Sequence, residues 1–230
     1  MKKNFNIALF FLVIFAANVF LWVTQAESGP AKTVVVIDAA HGGADPGVHI
    51  TDRIQEKDIT LKLAVLLQKE LARNGSLHVL LTRDGDRDVS LDDRLKIIGD
   101  AAPRAVISLH VNAGFGKAAK GFEVYFPGFK TGKADKDGPG AIIRDMKKNK
   151  HLNDSVRLAQ GIQRQLESVF KKENRGLRYA PLRLLSDLSV PAVVVEIGFA
   201  ENPDNRKKLT DATHQQEIAR ALSRGILDSL

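Results

Sequence analysis

The chain has 230 residues, 44% hydrophobic and 27% charged, enough for one substantial core and outside the composition of disordered sequences. It contains no cysteine, which excludes disulfides, thiolate ligands and a cysteine nucleophile, so any metal must be held by His, Asp or Glu. The formal charge of +7 suits an anionic polymer or a membrane surface. The basic residues are interleaved with acids and few Tyr or Trp are present to stack bases, so nucleic acid is not an expected partner.

Lys2 and Lys3 precede an apolar run from Ile7 to Val23, broken by Asn18, and Thr24-Gln25-Ala26 follows. That order of charge, apolar stretch and small residues is an export signal. The run is long for a signal core, so residues 1–26 are expected as a signal peptide cleaved near Ala26 or as an uncleaved N-terminal anchor. Only the anchor would bring the protein to a membrane. Removing the segment takes away two lysines and no acid, lowering +7 to +5. Either way the location expected is the periplasm or cell envelope. Residues 27–32 read as a linker and 33–230 as one catalytic domain.

Thr33 to Asp38 is a β-branched run of buried-strand type, ended by a glycine-rich loop from His41 to Gly47. From about Lys57 to Asn74, Ile59, Leu63, Leu66, Leu67 and Leu71 recur at helical spacing. His78 to Thr82 reads as a strand, and Ser90 with Asp93 three residues on caps a helix carrying Leu91, Leu95 and Ile98. Ala105 to His110 and Phe122 to Phe126 read as further strands. Residues 127–151, rich in Gly, Lys and Asp, read as a mobile insertion with a short helix at 141–148. A long amphipathic helix is expected from about Asp154 to Lys171, a weak strand at Leu182–Leu185, a strong one at Ala192–Ile197 and a final helix near Thr213–Ser229. Strands alternating with helices predict a three-layer α/β fold, a mostly parallel twisted sheet with helices on both faces, phosphorylase/hydrolase-like. Ligands in such folds gather beyond the carboxyl ends of the strands.

Four polar residues arrive at that edge. His41 follows the first strand, His110 closes the third, Glu196 closes the last strong one, and Glu56 opens the first long helix. Two imidazoles and one carboxylate suit a tetrahedral zinc ion with one open position, and the remaining glutamate is then free to act on water there. Taken singly, each has an ordinary reading: a turn histidine bonded to backbone, a helix N-terminal charge, a satisfied buried imidazole. Glu196 is the hardest to dismiss, because an unpaired charge after Ala192-Val193-Val194-Val195 is expensive. His49, His78, His151 and His214 have no partner spacing and read as solvent-facing or capping residues.

Five ordered stretches carry a resemblance: Val36-Ile37-Asp38-Ala39-Ala40-His41-Gly42-Gly43-Ala44-Asp45-Pro46-Gly47, Glu56-Lys57-Asp58, Leu81-Thr82-Arg83, Ile107 to Ala113, and Pro191 to Phe199 with Asn202 after it. In these the chain resembles the zinc-dependent N-acetylmuramoyl-L-alanine amidases of the type-3 catalytic domain family, from about Val34 to Leu227. The resemblance implies one Zn2+ per chain on His41, Glu56 and His110, and Glu196 as the catalytic glutamate. It implies hydrolysis of the amide between N-acetylmuramic acid and L-alanine, with peptidoglycan as the partner. It also admits a protein activator, since some relatives carry a blocking helical insertion where 127–151 falls, although this stretch is short and loosely helical. Two departures stand out: Asp38-Ala39-Ala40 replaces the family's Asp-Pro-Gly, and Val111 follows His110 where a small residue is usual. Arg83 and Asn112 are given no chemical role. The rival readings are a non-catalytic wall-binding or regulatory module of the same fold and a zinc peptidase cutting within the stem peptide.

Overall fold

Alternation along the central strands divides the molecule into two unequal faces. The computed structural model describes residues 32–114, 116–128, 139–171 and 173–230; the N-terminal signal or anchor lies outside them. Among the described residues the strands are β1 (Thr33–Ala39), β2 (Leu77–Leu81), β3 (Ala105–Asn112), β4 (Phe122–Pro127), β5 (Asn174–Ala180) and β6 (Ala192–Phe199). The helices are α1 (Glu56–Ala72), α2 (Leu91–Ala101), α3 (Pro139–Phe170), α4 (Arg183–Asp187), α5 (Pro203–Thr210) and α6 (Ala212–Leu227). The strands form one sheet in the order β2-β1-β3-β6-β4-β5. Every neighbouring pair is parallel except β4 with β6, so the sheet is mostly parallel, as expected.

One face of the sheet carries Val35, Ile37, Ile107, Leu109, Val193 and Val195. They pack against Leu63 and Leu67 of α1, Ile162 and Leu166 of α3, and Ile218 and Leu222 of α6. Each of these fully buried side chains contributes roughly 1.5–3 kcal/mol of transfer free energy. The other face carries Val36, Val106, Ala192 and Val194 and is covered by Ile98 of α2 and Leu184 and Leu185 of α4. The same period of two that sends Val36 and Val106 to this thinner face sends Asp38, Ser108 and His110 there as well.

Sequence and structure part company in the second half. The weak strand expected at Leu182–Leu185 is the short helix α4, and the strand of that region is β5, earlier in the chain. β5 reads Asn-Arg-Gly-Leu-Arg-Tyr-Ala and lies at the sheet edge, where charge and glycine are tolerated and no apolar alternation is needed. The stretch 127–151 divides: Pro127 ends β4, residues 129–138 lie outside the described residues, and 139–151 are the opening turns of α3. The helices expected at 141–148 and 154–171 are thus one. Helix α5 was not foreseen; Pro203 occupies its first turn and Asn202 caps it by accepting from the Asp204 and Asn205 amides.

α3 and α6 cross at a glycine pair. A Cβ added to Gly225 would lie 2.6 Å from the Ile162 Cα and 2.7 Å from the Gly161 carbonyl oxygen, so the backbones meet directly. Gly225→Leu is expected to destabilise the fold by about 2–3 kcal/mol through overpacking. It should read as a lower urea midpoint at unchanged slope.

Candidate metal centre and active site

His41, Glu56 and His110 converge. His41 Nε2 lies 3.1 Å and His110 Nδ1 3.2 Å from the same oxygen, Glu56 Oε1. One ligand atom from each residue falls within a group spanning 4.8 Å. Zinc bonds of ~2.0–2.1 Å set tetrahedral donors about 3.3 Å apart, so the two imidazole–carboxylate separations suit a shared ion. His41 Nδ1 lies 2.8 Å from Asp45 Oδ2; a carboxylate only accepts, so the proton sits on Nδ1 and Nε2 faces the centre. Burial works against the Glu56 charge, but the two imidazoles and the Val111 amide outweigh it and hold its pKa at about 2. The Glu56 hydrogen bond raises His41 to about 9, against burial, with Asp45 adding to it. Protons and a metal cation therefore compete for the same negative centre.

Glu196 stands beside this cluster. It is in register with His110 on the neighbouring parallel strand, and with Glu123 on the antiparallel strand beyond. All three side chains share the thinner face. Burial, with the Glu56 and Glu123 charges, pushes the Glu196 pKa up to about 7, although both histidines pull it down. Its Oε2 is buried and has no hydrogen-bond partner. A carboxylate so placed can take and return a proton near neutrality. The β3–β6 register slips just past this pair, between His110 and Asn112, a bulge of the kind that re-aims side chains next to sites. A cavity of about 450 Å³ opens between His41, His110, Asp45 and the Asp88–Leu91 segment.

The ligand positions are fixed from behind. Buried Asp38 accepts from Arg94 Nη1 at 2.5 Å, Thr82 Oγ1 at 2.7 Å and Ser108 Oγ at 2.6 Å. Arg94 also donates to the Ala39 and His41 carbonyls, both at 2.7 Å. Arg83, fully buried, donates to the carbonyls of Ala39, Ala40 and Lys57. Two guanidinium groups thus grip three consecutive carbonyls of the β1 exit and the first turn of α1. Further out, Asp86 and Asp88 accept the Gly43 and Ala44 amides. Gly47 is required by space: a Cβ there would lie 2.6 Å from Glu56 Oε2 and 2.7 Å from His41 Cδ2.

The sequence pattern of the N-acetylmuramoyl-L-alanine amidase family matches residues 35–228. The chain belongs to this family. It is 32% identical over 203 residues to the probable cell wall amidase LytH of Staphylococcus epidermidis, a match covering 87% of this chain and 60% of LytH. It therefore spans less than two thirds of that relative's length. Among solved structures, the amidase AmiC2 of Nostoc punctiforme superposes with a TM-score of 0.72 at 27% identity, covering 87% of this chain and 98% of AmiC2. The CwlD amidase of Clostridioides difficile, solved in complex with the GerS lipoprotein, gives 0.71 at 29% identity, covering 86% and 98%.

Within this amidase-family fold, all four site residues picked from the sequence come together. His110 and Glu196 lie inside their strands, with β3 running on to Asn112 and β6 to Phe199. Asp45, Asp38, Arg94 and Glu123 were missed as participants. Asp45 follows His41 by four residues in the glycine-rich loop, and that spacing was the available signal. The Asp38 and Arg94 partnership spans 56 positions of chain and leaves no local trace.

Burial alone would raise the Asp38 pKa, but the Arg94 charge and three hydrogen bonds hold it below its ordinary value. Its stabilising contribution is therefore complete above the unfolded value of ~3.9 and is lost as pH falls through the folded one. Asp38→Ala strands Arg94 without its counter-charge and is expected to cost about 3–5 kcal/mol in denaturant titrations at pH 7. The gap to the wild type should narrow on acidification.

Proposed function

We propose that this chain hydrolyses the amide between N-acetylmuramic acid and L-alanine in peptidoglycan, with zinc held by His41, Glu56 and His110. The observation that carries the reading is the meeting of those three donors beside a buried, unpartnered Glu196 oxygen in an amidase-family fold. The donor set fits zinc: nitrogen and oxygen ligands, three of them, with no thiolate available. The chemistry such an ion supplies when bound is Lewis acidity toward a carbonyl oxygen and toward water.

The chain's own residues do the rest. Asp45 holds the His41 ring by its Nδ1 proton. Glu56 is kept charged, with Oε1 receiving the Val111 amide and Oε2 the Val48 amide. Glu196 takes the proton of the attacking water and later delivers it to the leaving amine, as base and then acid. Its raised proton affinity and free Oε2 support both halves of that task. An ion held by His41, Glu56 and His110 would favour the charged, proton-accepting form of Glu196.

The reading places the enzyme outside the cytoplasm, supported by Lys2, Lys3, the apolar run to Val23 and the small residues at its end. No helix among the described residues is long and apolar enough to cross a membrane. A protein activator belongs to this proposal as an expectation from the sequence, supported by the CwlD amidase having been solved in complex with a protein partner, the GerS lipoprotein.

The full chain with zinc is expected to expose new L-alanine amino termini in purified peptidoglycan, and a strong chelator should abolish this. Glu196→Ala should lower turnover ~10²–10⁴-fold while keeping zinc. New reducing sugar ends, or new amines from residues further along the stem, would instead identify a glycosidase or a peptidase. Unchanged turnover in Glu196→Ala would sink the mechanism.

Asp45→Asn tests the outer support of the centre. Zinc affinity measured by competition with a chelating dye should weaken about 10–100-fold, since the amide orients the ring without reinforcing its basicity.

A further inference from the structure

We propose that Arg178, backed by Arg175, forms a subsite for a free carboxylate on the peptide side of the scissile amide. The inference rests on the amidase reading for where that amide lies, and on the geometry of β4 and β5 for the subsite itself. Register between these strands runs Phe122↔Asn174 and then Val124↔Leu177, so two steps on β4 face three on β5. Gly176, with φ 98°, sits in the extra step. Residues three apart on a regular strand point to opposite faces. The bulge cancels that alternation and brings both arginines onto Glu123, whose Oε1 lies 2.8 Å from Arg175 Nε and 3.5 Å from Arg178 Nη2.

The two guanidiniums are not equivalent. Glu123 is buried, and besides Arg175 it accepts from the Tyr125 hydroxyl at 2.6 Å. Arg175 is committed, with its Nε bonded to Glu123 and its guanidinium 5.0 Å above the Phe199 ring. Among the described residues Arg178 meets Glu123 alone, at 3.5 Å, and its side chain is 51% exposed. One carboxylate between two guanidiniums leaves a net positive charge, and that charge resides on a planar fork free to take a second carboxylate bidentately.

Position decides which carboxylate. Glu123 is in register with Glu196, and Tyr125 with Arg178, so all of them share the face that carries His110. Arg178 stands on β5, two strand spacings of ~4.8 Å from the strand of Glu196, and its Nη2 turns toward Glu123 on the strand between them. That backbone separation is about three residues of extended peptide at about 3.3–3.6 Å each, and the long arginine side chain shortens it. The opposite flank of the centre carries Asp45 and Asp88, with Asp86 paired to Lys57, so an acidic segment is directed toward β5.

The test uses muramoyl dipeptides that differ only in the terminal group, a free carboxylate or its carboxamide. The full-length zinc-loaded enzyme should favour the free acid at least tenfold in kcat/KM, chiefly through KM, and Arg178→Gln should bring the ratio to within twofold of one. The same pair is measured by calorimetric binding to Glu196→Ala with and without Arg178→Gln, where no turnover is needed. A wild-type enzyme and a Glu196→Ala protein that do not distinguish the two ligands would overturn the subsite, as would discrimination that survives Arg178→Gln. Failure to cleave either ligand while Glu196→Ala still discriminates would count against the amidase reading alone and leave the subsite supported.

Discussion

The structure depends on two arginines buried behind the sheet's carboxyl edge. His41 sits at φ 61°, a left-handed conformation that costs a non-glycine residue about 1–2 kcal/mol. It is held there by hydrogen bonds from charged donors, each contributing ~1.5–3 kcal/mol. Arg94 reaches the carbonyls of Ala39 and His41, and Arg83 those of Ala39 and Ala40, so the strained residue and the two before it are all gripped. The grip outweighs the strain. Arg83 also bonds the Lys57 carbonyl, one residue past Glu56, so a single side chain ties together the segments that present two of the three candidate ligands. Where the resembled family has proline and glycine before the first histidine, this chain has Ala39 and Ala40, and its stiffness comes from outside the loop.

Such a clamp is workable because the two sheet faces do different work. The face covered by α1, α3 and α6 is apolar along its length and supplies most of the core. The other face is covered by α2 and α4 only over Val36, Val106, Ala192 and Val194. Beyond those residues the strands β1, β3 and β6, with β4 beside them, present Asp38, Ser108, His110, Glu196 and Glu123; Asp38 bonds Ser108 and Arg94, His110 meets Glu56, and Glu123 meets Arg175. Chemistry begins where helix cover ends. A one-residue slip of β3 would send His110 into the core and Leu109 to the site, so the apolar pattern that drives folding also sets the register of the centre.

How much of this was legible follows from the range of each signal. β1, β3 and β6 are buried on both faces and read as unbroken apolar runs, and α1 announces itself by spacing, so the elements that carry the four principal residues were visible. The Ser90 cap of α2 was visible because capping is a three-residue relation. β5 was not, because an edge strand with arginines and a glycine bulge has neither an apolar run nor alternation. The clamp was invisible for another reason. Arg83 lies 44 positions from Ala39, and nothing local distinguishes a buried arginine from a solvated one. Glu123 was hidden likewise, its partners Arg175 and Arg178 being brought to it by the fold alone.

Glu123 and Glu196 show what that fold-made environment accomplishes. They are chemically identical, occupy paired positions on adjacent strands and share a face. Glu123 is buried and Glu196 half-buried, and their partners separate them further. Glu123 receives a tyrosine hydroxyl and the charge of two guanidiniums, while Glu196 Oε2 receives nothing. Glu196, without such donors and beside two other negative charges, is pushed toward binding a proton. The difference in partners between the pair therefore rests on β5, and specifically on the extra residue that lets Arg175 and Arg178 face the same way. A regular β5 would leave Glu123 one cation short. The edge strand with the weakest sequence signal is the element that keeps Glu196 distinct from its neighbour.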